Sequence, residues 1–142
     1  MNQRVAIITS SYPRGSGDAA GHFVATEAQR YVCAGHEVHV FAPGVGPRDA
    51  DGATLHWLGD GGAFGWPGAL ARLKQDPRRW FGASAFVLRG IQALRSAGPF
   101  ARLDAHFLLP CAWPIASFVR GGELELVGHG SDVRLFCALP AP

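Results

Sequence analysis

The polar groups best placed to do chemistry stand in His129-Gly-Ser-Asp132, directly behind an apolar run that ends at Val127. A histidine at a strand end, beside glycine, can present an imidazole to a ligand near neutral pKa. The plainer alternative is a turn in which Ser131 or Asp132 caps a following helix. A second group is Gly15-x-Gly17-x-x-x-Gly21, between the apolar run Val5–Ile8 and a helical pattern over His22–Cys33. Three glycines in seven residues permit positive φ or close backbone approach to another group. The helix start beyond them offers N–H groups and the positive dipole end, an anion site in outline, with a plain flexible loop as the rival reading. A third group is the basic–aromatic run Arg72, Lys74, Arg78, Arg79, Trp80, Phe81. It reads as a solvated helix face or, more sharply, as a peripheral contact of Arg78, Arg79 and Trp80 with anionic lipid headgroups.

Several chemistries are disfavoured by spacing. A dinucleotide fingerprint needs Gly-x-Gly-x-x-Gly and an acid at the end of the next strand. Here the last interval is one residue too long, and Val40-Phe-Ala-Pro-Gly44 carries no carboxylate. Ser131 lies outside any Gly-x-Ser-x-Gly elbow. The six histidines share no metal-binding helix spacing, so no metal site is expected.

Elements must hold these groups. Val5–Ile8 has the unbroken apolarity of a strand buried on both faces. In the helix after it, Val24, Ala28, Tyr31 and Val32 share a face, Glu27 and Arg30 turn elsewhere, and Gly35 supplies the stop. Strands are predicted over 37–43 and 53–58, with a polar loop at 44–52. Helices are predicted from Gly68 to about Gln75, with Pro67 in or before the first turn, and from Ser84 to Ala97. A strand over 103–109, a helix from Cys111 to about Val119, a strand over 123–128 and a helix start at Val133 complete the pattern. This alternation predicts an α/β domain with a parallel sheet, right-handed crossovers, and a cleft beyond the carboxyl ends of the strands. The Tyr12–Gly21 loop, the Pro110–Trp113 turn and His129–Asp132 would meet there. The last strand, with Leu124, Leu126 and Val127, has nothing after it to cover both face and edge. A partner or further polypeptide is therefore expected.

The 142 residues fit one domain. A net charge of +2 gives no footprint for nucleic acid, so none is expected as a partner. No apolar run nears the roughly 18 residues of a membrane span, no signal peptide is visible, and Cys33, Cys111 and Cys137 read as buried thiols. The expectation is a cytoplasmic soluble domain, with contact at the inner face of the membrane if the basic–aromatic run is used for it.

Five segments together resemble the opening half of family 4 glycosyltransferases of the GT-B kind. They are Arg4–Pro13, Gly21-His-Phe-Val…Glu27-Ala-Gln-Arg30, Ala34–Val40, Asp104–Pro110 and Leu126–Val133. The match spans nearly the whole chain and is vaguest from Val45 to Arg102. The resemblance implies a Rossmann-like parallel-sheet domain with flanking helices, incomplete at its C-terminal end. It implies the acceptor-side half of a retaining enzyme that takes a nucleotide-sugar as co-substrate, with no separate cofactor. His129 would be the catalytic residue, contacting the transferred sugar. Gly15, Gly17, Gly21, His22, His106, Ser131 and Asp132 would bind donor or acceptor. The acceptor would be a glycan or a lipid-linked molecule, in cell-surface glycan or glycolipid synthesis. The family's Glu-x7-Glu pair is absent after His129. The expectation is therefore a truncated half, inactive alone, that needs a donor-binding half or a dimer partner. The alternative is a non-catalytic docking module derived from such a half.

Overall fold

The computed structural model describes residues 2–15 and 17–137. It is an α/β domain. Strand β1 spans Arg4–Ile8, helix α1 His22–Cys33, β2 Glu37–Ala42, β3 Asp49–Ala50 and β4 Ala53–Trp57. Helices α2 (Ala69–Gln75) and α3 (Arg79–Ala97), strands β5 (Arg102–His106) and β6 (Glu123–Val127), and helix α4 (Gly130–Cys137) follow. The sheet order is β3-β4-β2-β1-β5-β6, parallel throughout except that β3 runs antiparallel to β4.

Period-2 alternation sends the side chains of β1 into two different cores. Val5 and Ile7 pack with Val38, Val40, Val24 and Ala28 beneath α1. Ala6 and Ile8 pack with Phe41, Phe86, Leu94 and Ile115 beneath α3. Burial of each large side chain contributes roughly 1.5–3 kcal/mol, so β1 is held firmly from both faces. α1 ends as its sequence predicts. Gly35 takes φ +85°, Gly35 N–H donates to Val32 O (2.9 Å) and His36 N–H to Tyr31 O (3.0 Å), a Schellman closure.

Several boundaries differ from the sequence expectation, β5 among them, which ends at His106 rather than Leu109. α3 begins at Arg79 rather than Ser84, because Asp76 Oδ1 accepts Arg78 N–H at 3.0 Å and Pro77 opens the first turn. Arg79, Trp80 and Phe81 are thus helical. The helix predicted from Cys111 to Val119 is instead a chain of wide turns over Leu108–Ile115, then a short 3₁₀ turn over Ala116–Phe118. Leu109 and Trp113 are extended within it (φ −122° and −127°) because each precedes a proline, which disfavours α geometry. The polar loop at 44–52 contains β3, joined to β4 by Asp51-Gly52, both at positive φ (52° and 86°) as a two-residue hairpin requires. Finally, α4 starts at Gly130, so Ser131 and Asp132 lie inside its first turn rather than capping from outside.

The chain turns from β1 to β2 on one side and reaches β5 on the other, so the order of connection reverses between β1 and β5. Open α/β sheets leave a crevice at that point, beyond the carboxyl ends of the strands. β6 forms the far edge. Leu124 and Leu126, on its α3 side, are 48% and 52% exposed.

Candidate functional site

The carboxyl end of β5 carries the centre of the site. On this strand Leu103 and Ala105 face the α3 core, whereas Arg102, Asp104 and His106 face α1. Asp104 is fully buried. It accepts the Tyr31 hydroxyl at 2.7 Å and Arg102 Nε at 2.8 Å, and Arg102 also pairs with Glu123 (3.5 Å) and with Glu125. Burial raises the Asp104 carboxyl, against the pull of Tyr31 and Arg102. Burial, with the Asp104 hydrogen bond second, pushes the Tyr31 hydroxyl up to about 12. This cluster ties α1 to β5 and β6.

His106, 1% exposed, is one step further along the same face. Its Nε2 lies 3.2 Å from Glu27 Oε2, off the line of a well-formed hydrogen bond. Its Nδ1 lies 3.4 Å from His129 Nε2. The His106 contact is the chief cause holding the Glu27 carboxyl below the usual range. An ionised Glu27 favours the proton on His106 Nε2. His106 Nδ1 is then an acceptor for His129 Nε2–H, which leaves His129 Nδ1 as a lone pair. The tautomers are assigned from this network. His129 Nδ1 is thereby left as a hydrogen-bond acceptor. Its ring is held between Phe23 (4.5 Å) and Phe107 (4.4 Å). Phe107 has φ +76°, a strained value for a bulky residue, and strain of this kind is costly enough to need support from its surroundings.

Asp132 supplies that support. Its Oδ2 accepts Leu108 N–H at 2.6 Å, and its Oδ1 accepts His129 N–H at 2.7 Å and Val133 N–H at 3.0 Å. One carboxylate thus closes the first turn of α4 from within and ties it to the chain leaving β5. The backward reach to His129 is the acidic half of a capping box.

Beyond these residues a cleft of about 970 Å³ opens at the strand ends. Ser10 and Ser11 after β1, Phe107 and Leu109 after β5, and Ser131 and Asp132 line it, together with Phe64, Trp66, Pro67, Leu70 and Lys74 from the stretch between β4 and α3. A smaller hollow of about 380 Å³, around Pro99, Leu103 and Phe118, lies toward the amino ends and apart from these groups.

The residues singled out from the sequence divide accordingly. Ser131 and Asp132 line the cleft. His129 and His106 stand behind Phe107, and His106 reaches outward only through His129. The glycine loop contributes to the walls through Asp18–Ala20, not through Gly15, Gly17, Gly21 or His22 themselves. Asp18 shapes that loop by accepting Arg14 N–H (3.1 Å) and Ala20 N–H (3.0 Å), bonds that hold its carboxyl below the usual range. Gly21 is needed for its own fold: at φ +71° a Cβ would meet Ser11 O at 2.4 Å. Gly15 and Gly17 have open space around them. His22 is exposed at the start of α1.

In the basic–aromatic run, Arg72 donates to Gly62 O (2.7 Å) and Trp66 O (3.0 Å), bracing the cleft wall. Arg79 pairs with Asp76 at 3.6 Å, while Arg78 is exposed and Trp80 is 55% exposed. Among the described residues no helix is long and apolar enough to cross a membrane.

The sequence reading missed Glu27, Arg102 and Asp104, although it singled out His106 on the same face of β5. Glu27, expected to turn away, points at His106. The available signal was Arg102-x-Asp104-x-His106, three polar residues at period two within a strand flanked by apolar ones.

The histidines also set a pH dependence. His129 is held below the usual imidazole range by burial and then by His106. His56 is lowered by burial, then by His39 (3.0 Å between ring nitrogens) and by Arg48. In both cases the unfolded chain binds the proton more readily than the folded one. The stability these rings contribute is present above about pH 6.5 and is lost as pH falls through that value toward the folded pKa. Thermal melts from about pH 7.5 to about pH 5.5 should show a falling Tm. Replacing both rings by Gln should flatten the slope. A flat wild-type profile would refute the assignment.

No known protein family and no curated protein matches the chain.

Proposed function

We propose that this chain is the acceptor-side half of a retaining glycosyltransferase of the GT-B kind. It would transfer a sugar, a hexose by the family resemblance, from a nucleotide-sugar to an acceptor in cell-surface glycan or glycolipid synthesis. The observation that carries the proposal is the meeting of Ser131, Asp132, Ser10, Ser11 and Asp18–Ala20 around one cleft, with His129 beside His106 and Glu27. Counted among the parallel strands alone, the order is 3-2-1-4-5, which supports a Rossmann-like reading of the fold.

Sugar transfer needs groups that follow charge development. Positive charge builds at the anomeric carbon and negative charge on the departing diphosphate. A neutral His129 would accept a hydrogen bond from a hydroxyl of the sugar. On the cleft walls Lys74 is the cation, too little for a diphosphate, so a second domain would supply the rest. The 142 residues alone would then not transfer. Arg78, Arg79 and Trp80 would serve a peripheral contact at the inner face of the membrane. The test is to mix this chain with donor-binding halves of GT-B enzymes and a panel of radiolabelled nucleotide-sugars. Transfer that depends on both halves supports the reading, and its absence across the panel rejects it.

A docking module is the second reading, favoured by the half-exposed Leu124 and Leu126 on edge strand β6. Light scattering distinguishes it. A monomer at all concentrations removes self-docking, and a concentration-dependent dimer abolished by Leu126→Lys supports it.

A further inference from the structure

We propose that the hollow toward the amino ends of the strands binds a small organic acid: one carboxylate on a compact apolar body, aryl or branched alkyl. The site lies apart from the strand-end cleft and does not depend on the transferase reading. Three observations carry it.

The first is uncompensated positive charge. Arg95 and Arg120 both line the hollow, and no Asp or Glu does. Neither arginine forms an ion pair among the described residues. Arg95 is held by neutral bonds instead, its Nε and Nη2 donating to Phe118 O at 3.2 and 2.8 Å. That anchor fixes the guanidinium beside the hollow while leaving its charge unmatched. A guanidinium fork is suited to a carboxylate, which it can meet with two parallel N–H bonds.

The second is where the nearby acids go. Glu123 and Glu125 on β6 both pair with Arg102, on the α1 face of the sheet. The register sets Leu124 beside Leu103, which lines the hollow from the α3 face. Period-2 alternation thus turns both β6 carboxylates away from the two arginines. The opposing influence is the C-terminal end of α3, closed here by Gly98 N–H on Leu94 O at 3.0 Å. A helix end carries only about half a negative charge, so two full positive charges prevail.

The third is a preformed apolar lining. Leu94, Phe100 and Leu103 line the hollow and are buried. The Phe100 ring is fixed by edge contacts with His39 (5.4 Å) and Phe41 (6.0 Å), with the Arg4 guanidinium 5.1 Å over it. At about 380 Å³ the hollow stands near the lower end of small-molecule sites. A bare inorganic anion would leave its apolar lining facing water, whereas an aryl or branched alkyl body would cover it.

Phenylacetate is the probe, with phenylacetamide, acetate and inorganic phosphate as its comparisons, titrated into the chain and read by the amide NMR signals of Val119, Arg120 and Gly121. The expected result is saturable one-to-one binding of phenylacetate. The other three should each bind at least ~tenfold more weakly, for want of the charge or of the apolar body. Arg120→Gln, at an exposed position, should weaken phenylacetate by roughly tenfold and melt with the wild type. Arg134→Gln, on α4 and outside the hollow, should leave binding unchanged. Phenylacetamide binding as tightly as phenylacetate would remove the carboxylate from the proposal, and phosphate or acetate binding as tightly would remove the apolar body. Absence of saturable binding, or binding that falls as protein concentration rises because a second copy covers the hollow, overturns it outright. So does an equal loss in Arg134→Gln and Arg120→Gln, which marks general attraction to a basic surface.

Discussion

Asp132→Ala is expected to lower stability by about 3 kcal/mol and Tm by about 10 °C. The reason is the number of donors left behind. Leu108, His129 and Val133 each present a backbone N–H to this one carboxylate, at 2.6, 2.7 and 3.0 Å, and the residue is only 8% exposed. Charge-assisted bonds of this kind are worth about twice a neutral one, and unpaired N–H groups in a shielded turn are penalised further. Asp132→Asn should fall between, since it retains one acceptor oxygen but turns its NH2 group toward a donor. Differential scanning calorimetry checks the order wild type, Asn, Ala. An alanine variant that melts with the wild type would show that water satisfies these donors, and that Asp132 does not hold the β5 and β6 ends together.

His129→Ala should have the larger effect on activity. In a mixture with a competent donor-binding half, transfer should drop by roughly 100-fold or more, the usual cost of deleting one preorganised polar contact to a transition state. The melting temperature should move little, because the ring is only partly buried between Phe23 and Phe107. Glu27→Gln acts through His106 and should cost less, roughly tenfold, while shifting the pH–rate profile. That shift separates positioning from simple packing. A His129→Ala variant that transfers at the wild-type rate would remove His129 from the chemistry.

How much of this was legible in the residues depends on which physical signal each element carried. α1 was read to the residue because Gly21 and Gly35 bracket it and both need left-handed backbone. The start of α3 was read five residues late, because Asp76-Pro77 looked like a stop to the preceding helix and is also the opening of the next. The wide turns after β5 defeated a helical reading that tolerated Pro114 but not the extended residues before Pro110 and Pro114. At the site, His129 could be found because it follows a strand. Glu27 could not, because an amphipathic wheel identifies the apolar side of a helix and says nothing about which polar residue meets a buried histidine.

The unequal borders of the sheet give it a direction of growth. On one border Asp51-Gly52 folds the chain back so that β3 adds only two residues, too short a template for another strand to extend. On the other, the five residues of β6 have no further strand beside them among the described residues, and two of its leucines are half-exposed. Any strand that joins this sheet, from whatever source, is therefore directed to the β6 side. His129 follows β6 directly, so whatever joins there is set next to that histidine.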